Sequence, residues 1–160
     1  MSDRILPDLT WRVVFNRATP PGRRHWGRVR AAQLSALGPA LLIAAWGLTF
    51  KARTDDLRDS PAIEVIRRLQ ARGATIQAYD PAIDGPRPAL DGIDVATDPY
   101  AVCEGADVLV VLTEWDEFRW MDFAKVAGLM RTAKIVDTRN LLEPAAVRRR
   151  GFTYDGLGRA

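Results

Sequence analysis

Two uninterrupted apolar runs constrain the fold of this chain more than any other feature of its sequence. They are Leu41–Trp46 and Val108–Leu112. Neither run alternates with polar residues, which is typical of strands buried on both faces of a parallel sheet. Such strands need helices on each face of the sheet, so the two runs predict an α/β fold.

The segments between and after these runs alternate between strand and helix patterns. A helix is predicted to begin at Ser60-Pro61, with Ser60 as its N-cap, and to end at Gly73 in the C′ position. Further strands are predicted at 75–79, 93–95, 134–137 and 152–154, and further helices at 98–103, 122–130 and 144–150. This alternation predicts an open parallel sheet of about five or six strands with helices on both faces.

The N-terminal part of the chain differs in composition from the rest. Residues 1–35 hold seven arginines against two aspartates. Residues 23–37 have the spacing of a basic amphipathic helix, which Gly38 ends. We therefore expect an N-terminal extension, residues 1–38, before the α/β domain, residues 39–160. Because no repeated or aromatic-interleaved basic pattern is present, a solvated or partner-facing helix is favoured over nucleic-acid binding.

Composition argues against several classes of site. The chain has one cysteine, Cys103, and one histidine, His25, which excludes an internal disulfide and the usual zinc sites. Cys103 lies in an ordinary helical segment, so we assign it to packing and assign no catalytic residue and no metal ligand. The apolar run at 39–50 is shorter than the roughly 20 residues that span a membrane. With no signal-peptide pattern at the start, we expect a cytoplasmic protein without membrane contact.

The turn after the first strand holds the first candidate site residues. Ligands of open parallel sheets bind where the strands end, and Lys51 followed by a helix N-terminus favours a phosphate there. A dinucleotide-binding turn needs Gly-x-Gly-x-x-Gly, and only Gly47 is present, so we expect no NAD binding by this domain. Asp55 and Asp56 allow a carboxylate pair for metal or acid–base chemistry, but pairing with Arg58 that shapes the loop is favoured.

A second candidate follows the strand at 134–137. The sequence Asp137-x-Arg139-Asn140 places polar side chains at the end of a buried strand. Arg139 is able to form bidentate bonds with a phosphate or a sugar hydroxyl. The alternative is a surface arginine that pairs with a nearby acid, and position alone leaves both open. If Arg139 binds a ligand, Lys51 and Arg139 are expected to hold a diphosphate between them, from two neighbouring turns at strand ends.

Several ordered motifs together resemble the C-terminal domain of the UDP-glucose/GDP-mannose dehydrogenase family. The motifs are Trp46–Lys51, Thr54–Pro61, Gly73-Ala74, Tyr79–Pro81, Ala106-Asp107, Thr113–Trp115, Asp137–Leu142 and Tyr154–Arg159. The resemblance implies a Rossmann-like domain that holds the nucleotide part of a UDP-sugar or GDP-sugar, with UDP favoured.

The resemblance also implies roles for individual residues. Lys51 and Arg139 are expected to contact the nucleotide-sugar, and Phe50, beside Lys51, is expected to contact it through its backbone. The residues expected to shape the loop are Gly47, Thr54, Asp55, Asp56 and Arg58.

The same resemblance implies what this chain does not supply. The family oxidises its substrate with NAD, bound by a separate domain, through a cysteine in a Gly-rich motif that this sequence lacks. We therefore expect no bound cofactor and no catalysis by this chain alone. A second chain that supplies the NAD-binding half, a homodimer through the connecting helix, a nucleotide-sugar sensor, and an interaction protein with a vestigial pocket all remain open.

Overall fold

The computed structural model describes residues 41–157. The expected basic helix at 23–37, the boundary at residue 38 and the last residues of the final motif, Gly158 and Arg159, lie outside the described residues. Within residues 41–157, no helix combines the length and the apolar character needed to cross a membrane.

Strands and helices alternate along the described residues, as the sequence predicts. The strands are β1 (Leu42–Trp46), β2 (Thr75–Tyr79), β3 (Asp94–Val95), β4 (Val108–Val111), β5 (Lys134–Asp137) and β6 (Thr153–Gly156). The α-helices are α1 (Pro61–Gln70), α2 (Phe123–Leu129) and α3 (Pro144–Arg149). Short 3-10 helices occupy Pro88–Leu90, Ala101–Cys103 and Asp116–Trp120.

The six strands form one parallel sheet in the order β3-β2-β1-β4-β5-β6. This is the strand order of a Rossmann-like sheet, in which the chain direction across the sheet reverses between β1 and β4. The predicted α/β class, the parallel sheet and its size are therefore confirmed. The reversal point is where such sheets bind their ligands, at the carboxyl edge, the edge at which the strands end.

Each central strand sends its side chains alternately into two separate cores. Ile43 and Val110 face the core that α1 covers with Ile66, and all three side chains are buried. Trp46 and Leu109 face the opposite core, to which α2 and α3 contribute one buried valine each. The absence of polar residues from β1 and β4 follows from this arrangement, because both faces of each strand are covered.

Two predicted helix starts have a different local chemistry in the structure, and one predicted helix end is confirmed. Ser60 precedes α1, but its hydroxyl donates to the carbonyl of Leu48 at 2.7 Å instead of capping the helix. The helix predicted at 98–103 is reduced to the 3-10 turn Ala101–Cys103, because Asp98 binds the amide of Tyr100 and closes a local turn. Gly73, at φ 87°, ends α1 as predicted, with its amide bonded to the carbonyl of Gln70.

Candidate functional site

The sequence-predicted site residues lie in loops at the carboxyl edge of the sheet. Phe50 and Lys51 follow β1, and Arg139 follows β5. The expectation that their two turns are neighbours is wrong, because β4 lies between β1 and β5 in the sheet. The loop after β4, residues 112–115, therefore separates the two candidate cations and takes part in the site.

The turn after β1 is locked against the loop after β4. Gly47 has φ 96°, and a Cβ atom placed on it would lie 2.4 Å from Cβ of Thr113. The hydroxyl of Thr113 donates to the carbonyl of Thr49 at 2.9 Å, and the amide of Gly47 donates to the carbonyl of Tyr79 at 2.8 Å. A glycine is required here both by the positive φ and by the close approach of the loop.

The rest of the β1 loop is held by a local network around Asp56. Its carboxylate accepts bonds from the amide of Arg58 at 2.9 Å and from the guanidinium of Arg58 at 3.0 Å. The guanidinium bond, and then the amide bond, lower the pKa of Asp56 to about 2. Thr54 accepts from the amide of Asp56, whose carbonyl accepts from the amide of Phe50. Asp55 is exposed on this loop. The Asp56 carboxylate is bonded to Arg58 rather than paired with Asp55.

Asp80, at the end of β2, is the residue that the sequence analysis missed. It is 1% exposed, yet its carboxylate accepts from the amides of Leu48 at 2.7 Å and Thr49 at 3.0 Å. The indole nitrogen of Trp115 donates to the same oxygen at 3.2 Å, and the amide of Ala82 donates to the other oxygen at 2.9 Å. One buried carboxylate thus joins the loops that follow β1, β2 and β4.

The signal for Asp80 was present in the sequence as an acidic residue directly after an apolar strand. The sequence analysis included it only within the motif Tyr79–Pro81 and gave it no role. A buried carboxylate needs several donors, and backbone amides of an adjacent strand-end turn are the donors available at this edge.

Lys51 and Phe50 are both exposed at the end of the β1 turn. The side chain of Lys51 forms no ion pair with any residue between 41 and 157. Phe50 is 45% exposed, which is unusual for a large apolar side chain in the part of the chain that the structure describes. The turn therefore presents a charged group and an aromatic ring to solvent at the reversal point of the sheet.

The turn that carries Arg139 is built on the buried carboxylate of Asp137. One oxygen of Asp137 accepts from the amide of Arg139 at 3.0 Å. The other oxygen accepts from the amide of Leu142 at 2.8 Å and the hydroxyl of Tyr154 at 3.0 Å. Asn140 has φ 52° and completes the turn by donating to the carbonyl of Leu157. These contacts fix the backbone from which the Arg139 side chain extends.

The side chain of Arg139 pairs with Glu114 in the loop after β4. Nε of Arg139 lies 2.5 Å from Oε2 of Glu114, and the two side chains are 24% and 44% exposed. The contact is an ion pair without hydrogen-bond alignment, since Nε has no aligned acceptor. The alternative of an arginine paired with a nearby acid is thus present in the structure. A phosphate ligand would have to compete with a partly exposed carboxylate, whose hold on an arginine is weak.

Lys51 and Arg139 share an edge of the sheet, and neither lines the depression at residues 85–95 or the one at residues 57–64. A depression of about 770 Å³ is lined by residues between 85 and 95, and one of about 380 Å³ by residues between 57 and 64. The candidate site is therefore distinct from both depressions.

Cys103 is fully buried and poorly suited to act as a nucleophile. Burial, with a smaller contribution from the charge of Asp98, raises the pKa of its thiol to about 12. A nucleophilic cysteine needs a thiolate near neutral pH. Within residues 41–157, no group of three His, Cys, Asp or Glu side chains is placed to hold a metal ion.

Comparison with known proteins identifies the family. Residues 44–144 match the model described as "UDP-glucose/GDP-mannose dehydrogenase family, UDP binding domain". The chain belongs to this family. The match contains Lys51, Asp80, Glu114 and Arg139, so all the charged residues of the candidate site lie within the family domain.

Relatives of this family cover most of the chain. The UDP-glucose 6-dehydrogenase of Rhizobium meliloti strain 1021 is 47% identical over 159 residues, which are 96% of this chain and 34% of that protein. Among solved structures, the UDP-D-ManNAc dehydrogenase from Pyrococcus horikoshii has a TM-score of 0.64 at 30% identity and covers 81% of this chain and 28% of that one. A UDP-glucose dehydrogenase from Pyrobaculum islandicum has a TM-score of 0.61 at 30% identity, covering 81% and 29%. The chain thus spans about a third of the length of these relatives.

The described residues do not fit the NAD of the family's reaction. A dinucleotide cradle needs several glycines in a short turn that leads directly into a helix N-terminus. Here β1 ends at Trp46 and α1 begins only at Pro61, with Gly47 the one glycine in the intervening loop. Gly47 is moreover covered by Thr113, so the backbone at this point is closed to a pyrophosphate.

Proposed function

We propose that residues 39–160 bind the nucleotide part of UDP-glucose for its NAD-dependent oxidation to UDP-glucuronate. The observation that carries this proposal is the match of residues 44–144 to the family's UDP-binding domain. The choice of UDP-glucose over a GDP-sugar is supported by the 47% identity to a UDP-glucose 6-dehydrogenase.

The binding site we propose lies across the loops after β1, β4 and β5. Lys51 supplies a compact positive charge that no carboxylate of the described residues neutralises, and Arg139 supplies a planar fork of donors suited to phosphate. Phe50 contributes backbone contacts beside Lys51. Because Glu114 is partly exposed, a diphosphate with two negative groups is able to displace it from Arg139.

We further propose that the oxidation itself depends on groups outside this domain. The β1 turn is unsuited to NAD, and the Cys103 thiol is buried with a pKa of about 12. The hydride acceptor site and the nucleophile would then come from an NAD-binding domain, either on the same protein or on a second chain. Residues 1–38 would connect the two parts, and a homodimer would form through that connection.

Calorimetric titration of the chain tests the binding proposal. UDP and UDP-glucose are expected to bind with one site per chain, GDP-mannose is expected to bind more weakly, and added NAD is expected to change nothing. Thermal stabilisation by UDP should follow from mass action. Absence of UDP binding, or tighter binding of GDP-mannose than of UDP-glucose, would overturn the proposal.

A separate experiment tests the dependence on an NAD-binding half. The chain alone should not reduce NAD with UDP-glucose, and mixing it with a chain carrying the family's NAD-binding domain should restore the reaction. Turnover by the isolated chain would show that this part of the proposal is wrong.

A further inference from the structure

Two of the three loops of the candidate site, those after β1 and β4, meet at one buried carboxylate at the end of β2. Asp80 is 1% exposed and accepts bonds from residues that follow both of the strands at the reversal point, β1 and β4. We propose that Asp80 is a positioning residue that sets both candidate cations, Lys51 and Arg139, for the diphosphate. This inference rests on the proposed function, because it assumes that UDP binds at this edge.

The connection from Asp80 to Lys51 runs through two consecutive amides and one hydroxyl. Oδ2 of Asp80 accepts from the amides of Leu48 and Thr49 at 2.7 and 3.0 Å. The Thr49 hydroxyl lies 3.0 Å from the same oxygen and 3.2 Å from the carbonyl of Lys51. The hydroxyl has one proton and donates to one of these two oxygens at a time, so the two amide bonds fix the backbone at residues 48 and 49, just before Lys51.

The connection from Asp80 to Arg139 runs through the loop after β4. The indole nitrogen of Trp115 donates to Oδ2 of Asp80 at 3.2 Å, past the end of β1, the strand between β2 and β4. Glu114, the residue before Trp115, forms the ion pair with Arg139. Loss of the indole bond would therefore loosen the loop whose Glu114 holds Arg139 in place until the diphosphate displaces that carboxylate.

An amide at position 80 would disturb this arrangement without changing the size of the side chain. Four donor atoms converge on the single oxygen Oδ2, namely the Leu48 and Thr49 amides, the Thr49 hydroxyl and the Trp115 indole. In an asparagine one of the two oxygens is replaced by a group that donates, and the negative charge is lost. Some of the donors would then lack an acceptor, and the loops would occupy their bound arrangement for a smaller fraction of the time.

Asp107 offers a matched control at the opposite edge of the sheet. It is 7% exposed, accepts from the amide of Leu42 at 2.9 Å and pairs with Arg131 at 2.8 Å. It precedes β4, so it lies at the edge where the strands begin. Asp107→Asn therefore removes a buried, bonded carboxylate and its charge from the same sheet while leaving the candidate loops intact.

The test is UDP affinity by calorimetry in Asp80→Asn and Asp107→Asn, each compared with the unaltered chain. Asp80→Asn is expected to weaken UDP binding about tenfold, because the fraction of chains whose loops are arranged for binding would fall to about a tenth. Asp107→Asn is expected to weaken it less than about twofold, even if both variants lose thermal stability. In a chain that already carries Lys51→Ala, Asp80→Asn should have a much smaller effect, since the two residues act together.

A milder variant keeps the inference testable if Asp80→Asn does not fold. Trp115→Phe removes only the indole donor and is expected to weaken UDP binding about threefold, the loss of one hydrogen bond. In the unaltered chain the Trp115 indole N–H resonance should shift on UDP binding, while that of Trp46, which donates to Pro99 at 3.0 Å, should not.

The outcomes separate this inference from the proposed function. Unchanged UDP affinity in Asp80→Asn or, where that variant does not fold, in Trp115→Phe would overturn the positioning role and leave UDP binding standing. An equal loss in Asp80→Asn and Asp107→Asn would also overturn it, because the effect would then be one of general stability. Absence of UDP binding in the unaltered chain would overturn both.

Discussion

Gly47 and Thr113 approach so closely that no carbon atom fits between them. A Cβ on Gly47 would lie 2.4 Å from Cβ and 2.6 Å from the amide nitrogen of Thr113. The turn after β1 and the loop after β4 therefore pack as a single body at the point where the sheet reverses direction. The side chains that extend from the two segments, Lys51 and Glu114, take their positions from this contact.

Gly47→Ala should destabilise the domain by roughly 2–4 kcal/mol, the combined cost of a positive φ and an overpacked contact. Urea unfolding measures the loss. Gly73→Ala is the matched control, because Gly73 has a similar φ of 87° with nothing within 4 Å of an added Cβ. A loss in Gly47→Ala no larger than in Gly73→Ala would contradict the close contact.

Lys51→Ala should weaken UDP binding about 10- to 100-fold, the range for a charged hydrogen bond to phosphate. Calorimetry measures the affinity. Arg72→Ala is the control: it removes one positive charge near the end of α1, where the strands begin, and tests whether net charge alone accounts for the loss. Equal affinity in Lys51→Ala and the unaltered chain would remove Lys51 from the site.

Arg139→Lys should lose nearly as much UDP affinity as Arg139→Ala, because a lysine keeps the charge but not the two-pronged geometry. The folding stability of both variants should change little, since the ion pair with Glu114 is partly exposed. Parallel calorimetry and thermal unfolding check the two statements. Full recovery of affinity in Arg139→Lys would indicate a contact through charge alone.

Cys103 should be inert to thiol reagents in the folded chain at pH 8 and reactive in urea, because its pKa is raised to about 12 by burial first and by Asp98 second. As the only cysteine, it accounts for the whole signal. The folded thiol stays neutral to a higher pH than the unfolded thiol, whose pKa is 9.0. Its contribution to stability is therefore complete below pH 9.0 and is lost as the pH rises toward 12. Rapid labelling of the native chain would contradict the burial.

The alternation of apolar and amphipathic segments was sufficient to predict the fold class and most elements. It succeeds because β1 and β4 are covered on both faces, which leaves no place for polar residues. The alternation did not predict the order of the strands, because the position of β4 between β1 and β5 depends on the path of the crossover connections. For that reason Lys51 and Arg139 were wrongly expected on neighbouring turns.

Polar roles at the site were harder to predict than the strands. Ser60 has the position of a helix cap, but its hydroxyl binds the carbonyl of Leu48, 12 residues earlier. Asp80 and the Leu48 amide it binds are 32 residues apart, and nothing local in the sequence links them. The chemistry of each group was visible in the sequence, whereas its partner was set by the tertiary fold.

The most direct test of the account is a UDP titration of the ¹⁵N-labelled chain followed by its backbone amide resonances. The amides of residues 47–51, 113–115 and 138–140 are expected to shift together, with one affinity, while those of Leu42, Val108 and Lys134 at the opposite edge stay in place. Shifts confined to the opposite edge, or to only one of the loops that carry Lys51 and Arg139, would contradict a diphosphate site shared by these two residues.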